Sequence, residues 1–417
     1  MDFDVVVLGA GIVGVSCAIH LQDRGRRVAL VDRGEPGGGT SFGNAGLIER
    51  SAVVPYAFPR SLGTLARYAR NQSTDLYWDW KALPSFIPWL ARYWYESSPR
   101  RLAAAARDML PLILRCVDEH EALVTRAGAD VGLLVRETGW IETYRTPDEF
   151  EAAAKRAGQL ASAQGLRLDT LDAAALRARE PALAQAKTFC GGLHWIDPRS
   201  VTNPAALTKA YAALFQRAGG TILVGDAATA RAESDGWLVQ TSEGPVGARE
   251  IVVALGPWSD VVFAPLGYRI PLRAKRGYHM HYDATSSPPL TRPVLDREQG
   301  YVVAPMQRGL RLTTGVELAS REAPPTGVQL ARAEVLARPA FGLGRRLDAE
   351  PWLGLRPCTP DMRPVIGRAE RHRGLWFAFG HAHHGLTLGP VTGRLLAEMM
   401  TGETPFTDPR PYRPSRF

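Results

Sequence analysis

The sequence predicts an α/β protein in which a βαβ unit opens the chain and an interwoven α+β region carries an antiparallel sheet. Three observations carry this. Residues 4–8 (DVVVL) are an almost wholly apolar, β-branched run, as a parallel strand buried on both faces requires. Glycines and the helical stretch VSCAIHLQDRG follow, ending at Gly25, and a second apolar strand, RVALVD, ends at Asp32. The chain closes on the same grammar, with strand LWFAFG (375–380), a glycine-containing loop and helix PVTGRLLAEMMTG (390–402).

Between these ends, residues 60–190 read as helical. Residues 102–127 form one long helix whose Pro111 should sit near its start or kink it. Further helices are expected at 149–164, 172–179 and 203–218, the last with Asn203 as N-cap, Pro204 at N1 and Gly219 as the stop. Strands follow at 221–224, 237–241 and 251–255. The imperfect alternation of 268–283, with 301–304 and 310–316, suggests an antiparallel sheet with one face over a cavity. No repeat or low-complexity linker appears, so the chain should pass several times between two domains. Segments 1–59, 195–265 and 349–417 are assigned to the first, and 60–194 and 266–348 to the second.

The 417 residues suit two or three domains, and 45% hydrophobic with 22% charged residues excludes a disordered or fibrous chain. Basic residues number 50 against 42 acidic, a charge of +8, and only five of the 50 are Lys. This balance favours anionic ligands, yet no basic run is long enough for a nucleic-acid arm. Cys17, Cys116, Cys190 and Cys358 show no CxxC spacing, which argues against a disulfide framework or structural zinc. With no signal-peptide pattern and no 18-residue apolar run, a cytoplasmic protein is expected, soluble or peripheral on the inner membrane face.

Gly9, Gly11 and Gly14 form GxGxxG after a strand and at a helix start. The first permits the turn, the second lets a pyrophosphate approach the backbone at Ile12 and Val13, and the third allows close helix–strand packing. Asp32, followed by Arg33, ends the second strand where a carboxylate can accept ribose hydroxyls. Ala254, Leu255, Gly256 and Trp258 end a buried strand where a backbone can again approach a ligand, and Ala228 lies after the preceding strand. The loop Gly380–Thr387 precedes the last helix, so the N–H groups of His384, Gly385, Leu386 and Thr387 can face the electron-rich edge of a flavin. A cofactor touched at both chain ends is long, which favours FAD over NAD.

Together with Thr40, Ser41, Asn44, Ala45 and Gly46, and the ending GlyLeuArgProCysThrProAsp with Gly354, these motifs resemble the FAD-dependent amino-acid oxidase/dehydrogenase family. The likeness runs over essentially the whole chain and is nearest the D-amino-acid dehydrogenase branch with its glycine-oxidase and hydroxyproline-dehydrogenase relatives. It implies a Rossmann-like FAD-binding domain, a substrate domain, and hydride transfer from a D-amino acid or cyclic imino acid to the flavin. A glycine/sarcosine-type oxidase using oxygen and a flavin subunit of a larger electron-transfer complex are the alternatives. The electron acceptor is then a quinone, another carrier or oxygen.

Arg356 is the candidate carboxylate clamp, since guanidinium binds carboxylate bidentately, and the resemblance puts Tyr301 beside it. His279 and His281 share a strand face opposite Tyr278 and rank below Tyr301. His383 should face the substrate, where some relatives carry Arg, and Leu47 should form an apolar wall. The spacing of His381, His383 and His384 offers no carboxylate or thiolate partner, so no metal is expected. Cys358 adjoins ThrProAsp, whereas relatives that tether FAD carry Cys several residues earlier, so FAD should be non-covalent. Residues 77–95 hold four of the ten Trp, with Arg100 and Arg101 after them. They read either as a face packed over the cavity or as an interfacial patch meeting a membrane.

Overall fold

The computed structural model describes residues 2–417. Two large sheets organise it. In the first, strands Thr221–Glu233, Val28–Asp32, Phe3–Leu8, Gly244–Val253 and Leu375–Phe379 run parallel in that order. Val365–Arg368 closes one edge antiparallel, and Gly236–Thr241 links Thr221–Glu233 to Gly244–Val253 as a meander. The opening strand is apolar throughout because its two faces enter different cores. Val5 and Val7 join one with the helices, while Val6 and Leu8 join another with Trp237, Phe377 and Phe379.

Helices Ile12–Gln22, Pro99–Ala127, Pro204–Arg217 and Gly385–Thr401 share the first of these cores. Asn203 caps its helix as expected, its Oδ1 accepting from Ala206 N at 3.0 Å. Two helices begin earlier than the sequence suggests. The long one starts at Pro99, which places Pro111 in its interior. The last starts at Gly385 and carries Pro390 inside it. Proline cannot bond to the carbonyl four residues back, and here that carbonyl, of Leu386, accepts instead from His120 Nε2 at 2.7 Å.

His120 is fully buried, and burial holds it well below its ordinary value, at about 4, as it does His20. Both stay neutral in the fold, while the unfolded chain takes up protons below about pH 6.5. The unfolded state then binds more protons, so stability rises with pH between about 4 and 6.5 and is lost as pH falls through that window. A thermal-unfolding series should show Tm dropping steeply below pH 6.5. Replacing His120 with Gln should flatten that slope while lowering Tm at neutral pH.

The second sheet is centred on Arg273–Ala284, which pairs with Gly309–Thr313, Val316–Leu318, Leu343–Arg346 and Trp352–Cys358. It continues through Tyr301–Met306 and Val294–Asp296 to Trp140–Tyr144, Gly191–Trp195 and Leu168–Asp172. Helix Val328–Phe341, which no sequence signal marked, covers its outer face. The domain boundaries drawn from sequence do not follow the sheets everywhere. Trp352–Cys358, assigned with the nucleotide-binding part, pairs with Arg273–Ala284, and helix Pro99–Ala127, assigned to the other, packs on the nucleotide-binding helices.

Candidate active site

Between the sheets lies a cavity of about 1560 Å³. Its nucleotide end is shaped by backbone that tolerates no side chains. Gly9 has φ +106°, and a Cβ there would lie 2.6 Å from Ala254 O. A Cβ on Gly14 would lie 1.8 Å from Gly9 O, so this residue sets helix-to-strand contact and does not itself line the cavity. Gly11, Ile12 and Val13 do line it, at the helix N-terminus. Asp32 holds the turn, accepting from Ala10 N at 2.7 Å and Gly34 N at 3.0 Å. Arg33 lies over the Trp258 ring (5.1 Å), and Ala228, Ala254, Leu255 and Gly256 complete this wall.

Segment 40–46 forms the next stretch of wall and is tied down from several sides. Ser41 Oγ accepts from Ile12 N at 3.0 Å, and Thr40 Oγ1 donates to Leu355 O at 3.0 Å. Arg311 donates to Phe42 O and Asn44 O, and its own Nε reaches His281 Nε2 at 3.0 Å. His281 Nδ1 lies 2.7 Å from Asp348 Oδ2, which anchors the chain of contacts. His279 stacks against both Phe42 and Trp352, which also meet each other. These two histidines therefore brace the wall without entering the cavity. Ala45, Leu47 and Gly354 line it, whereas Gly46 turns away, since its Cβ would lie 2.3 Å from Val201 O.

The last helix is brought to the same cavity by close packing on the first. A Cβ on Gly393 would come 2.5 Å from Ser16 O, and one on Gly389 would come 3.0 Å from Ile12 Cγ1. Both helix N-termini therefore open onto one space, with His383, His384, Gly385 and Leu386 at its edge. Gly380 and Thr387 do not line it. Gly380 makes the turn at φ +84°, and Thr387 Oγ1 donates to Leu47 O and accepts from Glu49 N.

At the other end, Arg356 lines the cavity with Nη1 donating to Gly315 O (2.6 Å) and Nη2 to Thr314 O (2.9 Å). Those carbonyls precede Val316–Leu318, which is pinned by the wholly buried Arg276–Glu317 ion pair (2.9 Å). No carboxylate pairs with Arg356 among the described residues, and burial lowers its pKa. Ala382 N donates to Pro357 O at 2.8 Å, joining the histidine loop to the strand carrying Arg356. His383 is held well below its ordinary value, by burial first and then by His384, Arg356 and Lys275.

Tyr301 requires a correction. Its side chain is fully buried on the helix-covered face, in the core with Phe341, while Val302 on the opposite face lines the cavity. Strand parity thus removes it from the clamp. Tyr56, Lys275, Arg297 and Glu49 line the cavity instead, and nothing in the sequence singled them out. Lys275 faces Arg356 through strand register, and Arg297 lies 5.8 Å from the Tyr56 ring. A carboxylate does stand beside the histidines, contrary to their spacing in sequence: Glu49, His383 and His384 bring ligand atoms within 4.8 Å of one another.

Residues 4–399 match the family described as FAD dependent oxidoreductase. This chain belongs to that family. It is 32% identical to a D-amino-acid oxidase of Bradyrhizobium diazoefficiens, covering 99% of this chain and 98% of the relative. It is also 32% identical to a D-amino acid dehydrogenase of Dechloromonas aromatica, covering 96% and 97%. In fold it resembles glycine oxidase from Geobacillus kaustophilus, with TM-score 0.78, 22% identity and 100% and 99% of the two chains covered. L-proline dehydrogenase from P. horikoshii gives TM-score 0.73 at 18% identity, covering 99% and 97%.

FAD is the cofactor of this oxidoreductase, and the residues present fit it. The Gly9–Gly14 cradle is one a Cβ would fill, and two helix N-termini converge on a single long space. No helix of the described chain is long and apolar enough to cross a membrane.

Proposed function

We propose that this oxidoreductase dehydrogenates D-amino acids or cyclic imino acids, with Arg356 as the carboxylate clamp. The observation that carries the reading is a guanidinium without an acidic partner in the cofactor cavity. Two backbone carbonyls fix its orientation, leaving its charge to be met by a substrate carboxylate. The names of the curated relatives supply the substrate class. FAD, when bound, supplies the two-electron acceptor for the substrate's α-hydrogen. The chain's part is to hold the carboxylate at Arg356, wall the carbon with Leu47 and His383, and exclude water.

Anaerobic addition of D-alanine or D-proline to the purified holoprotein should bleach the flavin band, and the L forms should not. A flavin that no amino acid bleaches overturns the reading. Peroxide formed in air would mark oxygen as the acceptor. Release of all flavin from denatured protein would support non-covalent binding.

A quinone acceptor would be reached from a membrane surface, and the aromatic segment suits one. Helix Leu83–Glu96 turns Phe86, Trp89 and Tyr93 inward and leaves Ile87, Trp94 and Tyr95 exposed, with Trp80 just before it. Arg60 lies over Trp94 and Arg101 over Tyr95, placing cations among the exposed rings. The protein should sediment with vesicles containing anionic lipid, and the double variant Trp80→Ser/Ile87→Ser should stay in the supernatant.

A further inference from the structure

Glu49 is buried and lines the cavity, yet no Lys or Arg pairs with it among the described residues. The other carboxylates along the cavity wall are already engaged: Asp32 and Asp226 by backbone N–H groups, Glu35 by Lys209 and Asp75 by Arg67. Facing Glu49 are His384 and His383 from the loop before the last helix. Glu142 approaches from strand Trp140–Tyr144, Tyr56 from its own segment, and Cys116 from the long helix. His384 Nδ1 lies 3.4 Å from Glu49 Oε2, and both His384 Nδ1 and His383 Nε2 are buried without a hydrogen-bond partner.

An unpaired carboxyl therefore shares a cavity with the unpaired guanidinium of Arg356, and His383 spans the interval, touching His384 and feeling the Arg356 charge. An α-amino acid carries one charge for each. Carboxyl and imidazole atoms gathered within 4.8 Å make a place for a cation, and an ammonium is the cation such a substrate brings.

We propose that Glu49 pairs with the substrate's amino nitrogen and takes its proton as the α-hydrogen leaves. The inference rests on the amino-acid reading above. In the step, an N–H bond breaks and its proton goes to the Glu49 carboxylate. The nitrogen lone pair forms the C=N bond as the Cα–H bond breaks, and that hydrogen leaves with its electron pair to the bound flavin. The substrate is oxidised to an iminium, the flavin is reduced by two electrons, and charge balances. Burial and the nearby Glu142 push the Glu49 carboxyl up to about 8, a value suited to exchanging a proton with an amine near neutral pH.

The test uses the holoenzyme and 2-aminoisobutyrate, an amino acid with no α-hydrogen to lose, with isobutyrate as the amine-free comparator. Calorimetry in buffers of different ionisation enthalpy counts the protons exchanged on binding. Below pH 8 the free site holds a protonated Glu49, so binding the amino acid should release close to one proton, and the release should fade above pH 8. Glu49→Gln should abolish this release and weaken 2-aminoisobutyrate at least about tenfold relative to isobutyrate. Binding to the unaltered protein without proton release, or equal affinity in Glu49→Gln, overturns the role of Glu49 and leaves the amino-acid reading standing. If neither ligand binds, that reading falls and the proposal with it. The proton count needs no variant, so it decides the matter even if Glu49→Gln misfolds.

Discussion

Arg356→Met should lower kcat/KM for the best amino-acid substrate by roughly thirtyfold or more, because truncating one partner of a buried, hydrogen-bonded charge pair costs about 2–5 kcal/mol. The variant should still purify yellow, since Arg356 lies at the substrate end, away from the Gly9–Gly14 cradle. Arg356→Lys should recover only part of the loss. An ammonium can meet a carboxylate but cannot keep both the Thr314 and Gly315 carbonyls and present a planar fork. A Cβ at position 277 would lie 2.6 Å from Arg356 Nη2, so Gly277→Ala should displace the guanidinium and show a milder form of the same defect. The deciding measurement is steady-state kinetics beside flavin content. Unchanged kcat/KM in Arg356→Met would remove this residue from the site.

The nucleotide end was legible because its requirements are local. Glycines at fixed offsets, a strand before them and an acid at the next strand's end all sit within one short stretch, and the backbone geometry at Gly9 and Gly14 supplies the reason for them. The substrate end was less legible because its parts meet only through tertiary pairing. Lys275 faces Arg356 through a strand register that no local pattern announces. Glu49 meets His384 because Thr387 staples its segment to the last helix. Tyr301 was misplaced for the same reason. Which face of its strand is core depends on helix Val328–Phe341, and without that helix alternation fixes only that neighbours point oppositely. Pro390, at which the local pattern starts the last helix, is tolerated within it because His120, more than two hundred residues earlier, takes up the carbonyl it leaves free.

Gly14→Ala and Gly11→Ala should fail in different ways, and the contrast separates packing from cofactor approach. At Gly14 a Cβ would lie 1.8 Å from the backbone oxygen of Gly9 and 3.3 Å from Ala254 Cβ. The Gly9 backbone cannot yield and the short Ala254 side chain has no rotamer to turn aside, so the helix must lift from the sheet and loosen its crossing with Gly385–Thr401 at Gly389 and Gly393. Overpacking of this kind costs about 1–3 kcal/mol or more, so Gly14→Ala should lower the Tm of the flavin-free protein by several degrees as well as weaken FAD. Gly11 is different. Its φ of −70° suits any residue, and its Cβ would meet only Ser41 Oγ, at an ordinary 3.4 Å. A methyl group there projects into open cavity, so the flavin-free fold should keep its Tm. FAD affinity should nevertheless fall, since the lost space is where a pyrophosphate must approach the backbone. Titration of each flavin-free variant with FAD, beside its melting curve, gives both readouts. Full FAD affinity in Gly11→Ala would mean that the phosphates lie elsewhere along the turn, while an unshifted Tm in Gly14→Ala would mean that the helix and sheet have slack the geometry does not provide.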